Sequence, residues 1–287
     1  MALNLSLPAD REKLEDLITD DVELFCQSFY EQGHRNHLGA SEVGEPCWRK
    51  LWYGFRWVKL EHHSGRMMRL FNVGHSAEPR FVAYLRGIGF EVKEFDENGK
   101  QFRIVGAMGH YGGSLDGMCK APERYQLATD LVLLNEFKTN GTGPGYAKVD
   151  EEGVAKAKPK HFAQMSQYGY KYGLKYGLYM IENKNDSGIT FKIVELDWNL
   201  GRQLEDKATQ IIFAKEPPPR ISENPAMQVC QWCHLKDVCH KGVQPEKNCR
   251  SCRNSMPTDN AEWFCSLHQA NIPQDFIKQG CDSWLPI

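Results

Sequence analysis

The chain has 287 residues, enough for one sizeable core with appendages and just short of two average domains. Its 35 Lys and Arg stand against 37 Asp and Glu, a net charge of -2, with 41% hydrophobic and 25% charged residues, which excludes bulk disorder and a basic coat protein. Any nucleic-acid contact must therefore use local patches. No stretch approaches the roughly 18 apolar residues of a membrane span, and MALNLSLPADREKLEDL lacks the basic and apolar regions of a signal peptide, so a cytoplasmic protein with no membrane partner is expected.

From Pro8 to about Phe29, Leu14, Leu17, Val22, Leu24 and Phe25 fit a helix loosely, giving an N-terminal helical arm. In Ser41 to Trp57, Trp48, Trp52, Phe55 and Trp57 are interleaved with Arg49, Lys50 and Arg56, and Arg66 and Arg69 follow. The pattern fits a helix facing nucleic acid, or one that packs its aromatics inward under solvated cations. Phe71 to Gly89 predicts a helix, and FEVKEF, QFRIVGAMGH and YGGSLDGMC predict short strands. DLVLLNEFKT, Asp130 to Thr139, is the strongest strand signal, apolar on both faces in its first half. A Gly-rich charged stretch up to Lys160 predicts a mobile loop, followed by a helix from about His161 to Tyr176 and a hairpin of LYMIEN and ITFKIVELDW. EPPPR, Glu216 to Arg220, closes a mixed α/β core and introduces a Cys-rich tail.

Within the central strand, Glu136 and Lys138 project to one side while Phe137 points to the other. Asp116 in GSLDG completes the pattern D-x19-E-x-K. Hydrolysis of a phosphodiester must neutralise an anion that gains charge, and carboxylates holding Mg2+ or Mn2+ do this while lowering the pKa of bound water. A lysine beside the metal orients that water and stabilises developing charge. Taken alone, E-x-K on a strand is more often an exposed ion pair.

These residues resemble the PD-(D/E)XK nuclease superfamily and its RecB-like exonuclease branch. There a G-x-x-x-H or G-x-x-x-E helix precedes the Asp and a Q-x-x-x-Y helix follows the E-x-K. Gly74 to Glu78 supplies the first element, with Glu78 in the ligand place and His75 as the competing ligand, and Gln164 with Tyr168 supplies the second. The resemblance spans roughly Ser41 to Cys239. It implies a restriction-endonuclease-like core, a central mixed sheet flanked by helices. Asp116, Glu136, the Phe137 carbonyl and Glu78 would hold the metal, Lys138 would act on the water, and Gln164 and Tyr168 would position substrate or Lys138.

Seven of the ten cysteines crowd into the last fifth of the chain, which in a reducing compartment points to metal. Cys230-x2-Cys233-x5-Cys239 with the distant Cys47 resembles the iron-sulfur staple of AddB and of CRISPR-associated RecB-like nucleases, implying a [4Fe-4S] cluster, with zinc as the alternative at the same thiolates. Cys249-x2-Cys252-x12-Cys265-x2-His268 has the spacing of a structural Zn2+ site. A competing partition, Cys230, Cys233, Cys249 and Cys252, also has zinc-ribbon spacing, and His234 or His240 could serve in either scheme. Cys26, Cys119 and Cys281 read as ordinary thiols.

The expected organisation is an arm and DNA-guiding segment over residues 1–70, a nuclease core over 71–215, the cysteine staple over 216–240 and a zinc appendage over 241–287. The resemblance implies a metal-dependent DNA exonuclease acting on single strands or duplex ends, bacterial or phage-encoded, with recombination, replication or CRISPR-adaptation proteins as partners. A structure-specific endonuclease or a CRISPR spacer-acquisition nuclease on the same core is the nearest alternative. A non-catalytic nucleic-acid-binding module is the alternative from another class.

Overall fold

The computed structural model describes residues 3–30 and 34–287. The chain divides into two compact units, one of Met1–His34 with Glu61–Arg80 and a larger one of Arg35–Leu60 with Phe81–Ile287. In the smaller unit, helix α1 (Pro8–Phe29) begins with proline at its first turn, where a missing N–H costs nothing. Glu23 on α1 accepts from the Arg66 N–H at 2.9 Å and pairs with Arg69 at 3.1 Å.

The larger unit opens with β1 (Leu38–Gly39), α2 (Ala40–Val43) and α3 (Trp48–Phe55). The first turn of α3 is capped by the Cys47 sulfur, which accepts from the Lys50 N–H. Helix α4 (Gly65–Gly87) starts six residues before the expected helix and passes from the smaller unit into the larger at Phe81. Phe81, Val82 and Leu85 on its last turns are buried.

Strands β2 (Glu91–Lys93), β3 (Arg103–Gly106), β4 (Tyr111–Ser114), β5 (Met118–Lys120) and β6 (Leu133–Asn140) follow. The expected mobile loop after β6 is instead two short helices, α5 (Pro144–Glu152) and α6 (Val154–Ala157). Val149 and Val154 anchor them with 0% and 3% exposure, an apolar pair too sparse to register as a periodic pattern. Next come α7 (Pro159–Tyr172), β7 (Tyr176–Asn183), β8 (Ile189–Glu195) and α8 (Trp198–Phe213). Gly173 ends α7 at φ +67°, a left-handed cap that a side chain would strain.

The central sheet has the order β2-β5-β6-β7-β8, with β6 and β7 parallel and the other pairs antiparallel. A parallel pair needs a crossover, and α5 to α7 provide it. Strand β7 is buried along nearly its whole length, whereas edge strand β8 mostly alternates exposed and half-buried positions, as its place in the sheet dictates. Helix α7 packs on α8, α2 and the β6–β7 pair. The fold is therefore mixed α/β, a central mixed sheet flanked by helices, with β1, β4 and β3 forming a small second sheet.

Beyond α8 lie α9 (Gln228–Gln231) and α10 (Lys236–Lys241), then a meander of β9 (Ser255–Pro257), β10 (Trp263–Cys265) and β11 (Ala270–Asn271), and α11 (Gln274–Ile277). The meander is docked on the aromatic segment around α3. Arg56 donates to the Cys252 and Ser255 carbonyls at 2.7 and 3.0 Å, and the Arg250 guanidinium lies within 4.3 to 4.7 Å of the ring centres of Trp57, Phe55 and Trp263. Among the described residues, no helix is long and apolar enough to cross a membrane.

Candidate active site and thiol clusters

Asp116 sits in the tight turn between β4 and β5. The turn depends on Gly117, at φ +114°, where a Cβ would come within 2.6 Å of the Lys93 carbonyl. The Asp116 carboxylate accepts from the Phe137 N–H at 2.8 Å, so the turn is tied to β6 beside Glu136. Strand alternation places Phe137 on the far face, its ring 5.5 Å from Phe81, and leaves Glu136 and Lys138 on the near face.

The Lys138 ammonium pairs closely with Glu136, lies 4.0 Å from Asp116 and donates to the Phe137 carbonyl at 3.1 Å. Burial works against this ammonium, but Glu136 and then Asp116 outweigh it and hold its pKa above the ordinary lysine range. In this arrangement the two carboxylates hold Lys138 in its charged form. Two carboxylates and a carbonyl, the oxygen donors a hard divalent ion takes, converge on one half-buried positive charge.

Two neighbours were missed in the sequence. In the parallel register Tyr179 of β7 stands opposite Glu136, and its hydroxyl is 2.8 Å from Nδ1 of His161 on α7. Burial, then the charges of Lys138 and Lys158, push the His161 imidazole down to about 3. Burial also raises the Tyr168 and Tyr179 phenols, so both stay protonated. Neither had a signal in a single sequence, because His161 opens a helix of ordinary composition and Tyr179 is one aromatic of an apolar strand.

Gln164 and Tyr168 lie one turn apart on α7 and are both buried. The Gln164 amide donates to the Tyr168 hydroxyl at 3.3 Å, which donates to the Ser114 carbonyl at 2.9 Å. Gly113 makes that approach possible, since a Cβ there would meet the hydroxyl at 2.6 Å. The pair therefore braces the strand end two residues before Asp116 and lies beneath the site. His75 and Glu78 are on α4, in the part belonging to the smaller unit.

Of the strand-guiding residues expected from sequence, Trp52 and Arg56 face the interior. Trp52 is fully buried with its indole N–H on the Ala214 carbonyl at 2.9 Å, and Arg56 is 4% exposed. They cannot track a nucleic acid from there, because the aromatic ridge of α3 is spent on docking α8 and the meander. Arg49 binds the Pro218 carbonyl at 2.5 Å and Lys50 pairs with Glu45 at 2.8 Å. Trp48 stays partly exposed with the Lys207 ammonium 5.6 Å from its ring centre. Arg66 and Arg69 lie in the smaller unit, Arg69 paired with Glu23.

Cys47, Cys230, Cys233 and Cys239 line one pocket together with Arg49, Lys50 and Arg220. Burial first, then Cys47 and Cys239, raise the Cys230 thiol. Cys249 and Cys252 lie elsewhere, joined in one turn by the Cys252 N–H to Cys249 carbonyl bond at 3.1 Å. Among the described residues no cysteine is in a disulfide. Among the described residues no group of three or more His, Cys, Asp or Glu side chains is arranged to hold a metal ion.

No family model and no curated protein matches the sequence. Among solved structures, the alkaline exonuclease LHK-Exo from Laribacter hongkongensis aligns over 64% of this chain and 90% of its own, with TM-score 0.41 and 16% identity. LHK-Exo in complex with dAMP aligns over 61% and 86%, with TM-score 0.42 and 19% identity. SSO0001 aligns over 79% of this chain and 98% of its own, with TM-score 0.44 and 13% identity. Likenesses this distant assign the chain no activity.

Proposed function

We propose that the protein is a metal-dependent deoxyribonuclease of the PD-(D/E)XK kind, RecB-like, hydrolysing phosphodiester bonds at DNA ends or in single strands. The observation that carries this is the convergence of Asp116, Glu136 and the Phe137 carbonyl on the half-buried Lys138 ammonium. Those oxygens suit Mg2+ or Mn2+, with Glu78 or His75 as the further ligand that the sequence pattern supplies. When bound, the divalent ion supplies charge neutralisation and an acidified water.

The chain's own groups do the rest. Lys138, held charged, offers its N–H donors and positive charge to the anionic phosphoryl group, whose charge grows towards the transition state. The Phe137 N–H fixes one Asp116 oxygen, which orients the other. Tyr168 clamps the turn through Ser114 and Gly113, so the carboxylates keep their separation. Neutral His161 and protonated Tyr179 wall the site without adding charge.

As they stand the four thiols of Cys47, Cys230, Cys233 and Cys239 are not arranged as a metal site, but they line one pocket with Lys50 and Arg220, and drawn together they would be the ligands of a four-thiolate group, [4Fe-4S] or zinc. It would join α3 to the tail across the core.

Digestion of end-labelled single- and double-stranded DNA with Mg2+ or Mn2+ tests the activity. Cleavage that needs a free end and disappears in Glu136→Gln is expected. Metal-independent binding without cleavage would overturn the proposal.

A further inference from the structure

Beside the carboxylates, the hydrogen bond between His161 and Tyr179 has a definite direction. Tyr179 stands opposite Glu136 on β7 and is 0% exposed, and its hydroxyl lies 2.8 Å from Nδ1 of His161, the one hydrogen-bond partner it has among the described residues. A buried hydroxyl proton left without an acceptor is costly, so the hydroxyl donates and Nδ1 accepts. The single proton of a neutral imidazole then sits on Nε2. That nitrogen has no hydrogen bond among the described residues, and the His161 side chain is partly exposed. An aimed N–H donor is therefore held ready beside the site.

The surroundings of the ring are the half-buried end of β6. His161 is the third residue of α7, and Lys158 just before the helix brings its ammonium to Asn140. A Cβ on Gly145 would lie 2.8 Å from the Lys158 Nζ and 3.1 Å from the Asn140 amide nitrogen. Asn140 ends β6 two residues after Lys138, so Lys138, Asn140, Lys158 and His161 gather at one strand end. Burial, then the ammoniums of Lys138 and Lys158, oppose a second proton on the imidazole.

We propose that His161 contacts the substrate, donating its Nε2–H to a non-bridging oxygen of the phosphate under attack, and that Tyr179 is a positioning residue that fixes the tautomer and the ring. This rests on the nuclease reading above. A neutral donor suits the place. It can follow charge growing on the phosphoryl oxygens without pairing with Asp116 or Glu136, whereas a third cation beside Lys138 and Lys158 would compete with the divalent ion for those carboxylates. An N–H already aimed by a buried partner also needs no reorganisation at the moment of reaction.

Two measurements on the whole chain test this. Nitrogen NMR of protein carrying isotope-labelled histidine, without DNA or metal, should show His161 with a protonated Nε2 and a bare Nδ1 at neutral pH. A protonated Nδ1 would overturn the proposal whatever the protein cleaves, and this readout needs no variant to fold beyond the one that assigns the signal. The second measurement is kcat for end-labelled DNA with Mg2+ in His161→Asn and His161→Gln, with circular dichroism to confirm that both are folded. The Asn amide oxygen can replace Nδ1 as acceptor for Tyr179 but leaves the Nε2 place empty, whereas the Gln amide N–H reaches that place. His161→Asn should therefore lose about 10^2-fold in kcat and His161→Gln no more than about 10-fold. The reverse order is what a residue that only satisfies Tyr179 would give, and it would overturn the proposal. Wild type that cleaves while both variants match it would overturn this inference and leave the nuclease reading standing, whereas wild type that does not cleave would overturn both.

Discussion

Asp116, Glu136 and Lys138 differ in what their removal does, because they differ in burial. Asp116→Asn should lower cleavage by about 10^2 to 10^3-fold with little change in stability, since the amide keeps an acceptor for the Phe137 N–H. Lys138→Ala should abolish cleavage and also destabilise the chain by about 3–5 kcal/mol, as it removes the cation paired with the Glu136 carboxylate, which is 0% exposed. Sequence alone suggests an intact fold for that variant. The double variant Lys138→Ala with Glu136→Gln should regain much of the stability and none of the activity, and urea unfolding beside a digestion assay separates the two effects. Tyr168→Phe, which leaves the Ser114 carbonyl without its donor, should cost about 1–3 kcal/mol and slow cleavage by loosening the turn that holds Asp116. Glu78→Ala should be more severe than His75→Ala, and the reverse order would transfer the ligand role to His75.

At the level of elements, α3 shows where a sequence runs out. The strand signal of β6 was legible because apolar residues on both faces admit few alternatives, and the D-x19-E-x-K spacing marked the residues that the fold converges. For α3, alternating aromatics and cations fit an inward or an outward face equally, and the partner that decides, the meander around Trp263, lies about 200 residues away. The outcome splits the segment. Arg56→Ala should destabilise the chain by more than ~2 kcal/mol, because two charge-assisted bonds to the Cys252 and Ser255 carbonyls disappear. Arg49→Ala with Lys50→Ala should instead reduce the salt dependence of DNA affinity if these cations still reach a strand, and fluorescence anisotropy across a salt series measures that slope. Arg250 was invisible for the same reason, since nothing local tells a surface guanidinium from one packed among Phe55, Trp57 and Trp263.

For the whole molecule, pH and metal are the levers. His37, His110 and His161 are all shifted down, with burial as the first cause. The unfolded chain therefore binds more protons below the ordinary histidine value of about 6.5. Stability should be full above that pH and fall as pH falls, with the His161 contribution still declining towards about 3. Urea midpoints measured from pH 7.5 down to 5 should drop more steeply in wild type than in His161→Gln, and parallel slopes would refute the assignment. If the pocket of Cys47, Cys230, Cys233 and Cys239 holds the proposed iron-sulfur cluster or zinc, Cys47→Ser should lose that iron or zinc and unfold earlier than wild type, and an unchanged metal content would refute the proposal.

The docking of the meander on α3 also dictates an order of events during synthesis. Arg56 reaches carbonyls 196 and 199 residues further along, and the Trp52 indole one that is 162 residues away. Contacts so distant in sequence form last and slowly. As the chain leaves the ribosome, the aromatic helix therefore emerges early and waits, its apolar side uncovered, until α8 and then the final segment arrive. During that interval it is the surface a chaperone would most readily hold, and any arrest of translation between α8 and the meander would release a core that still exposes Phe55 and Trp57.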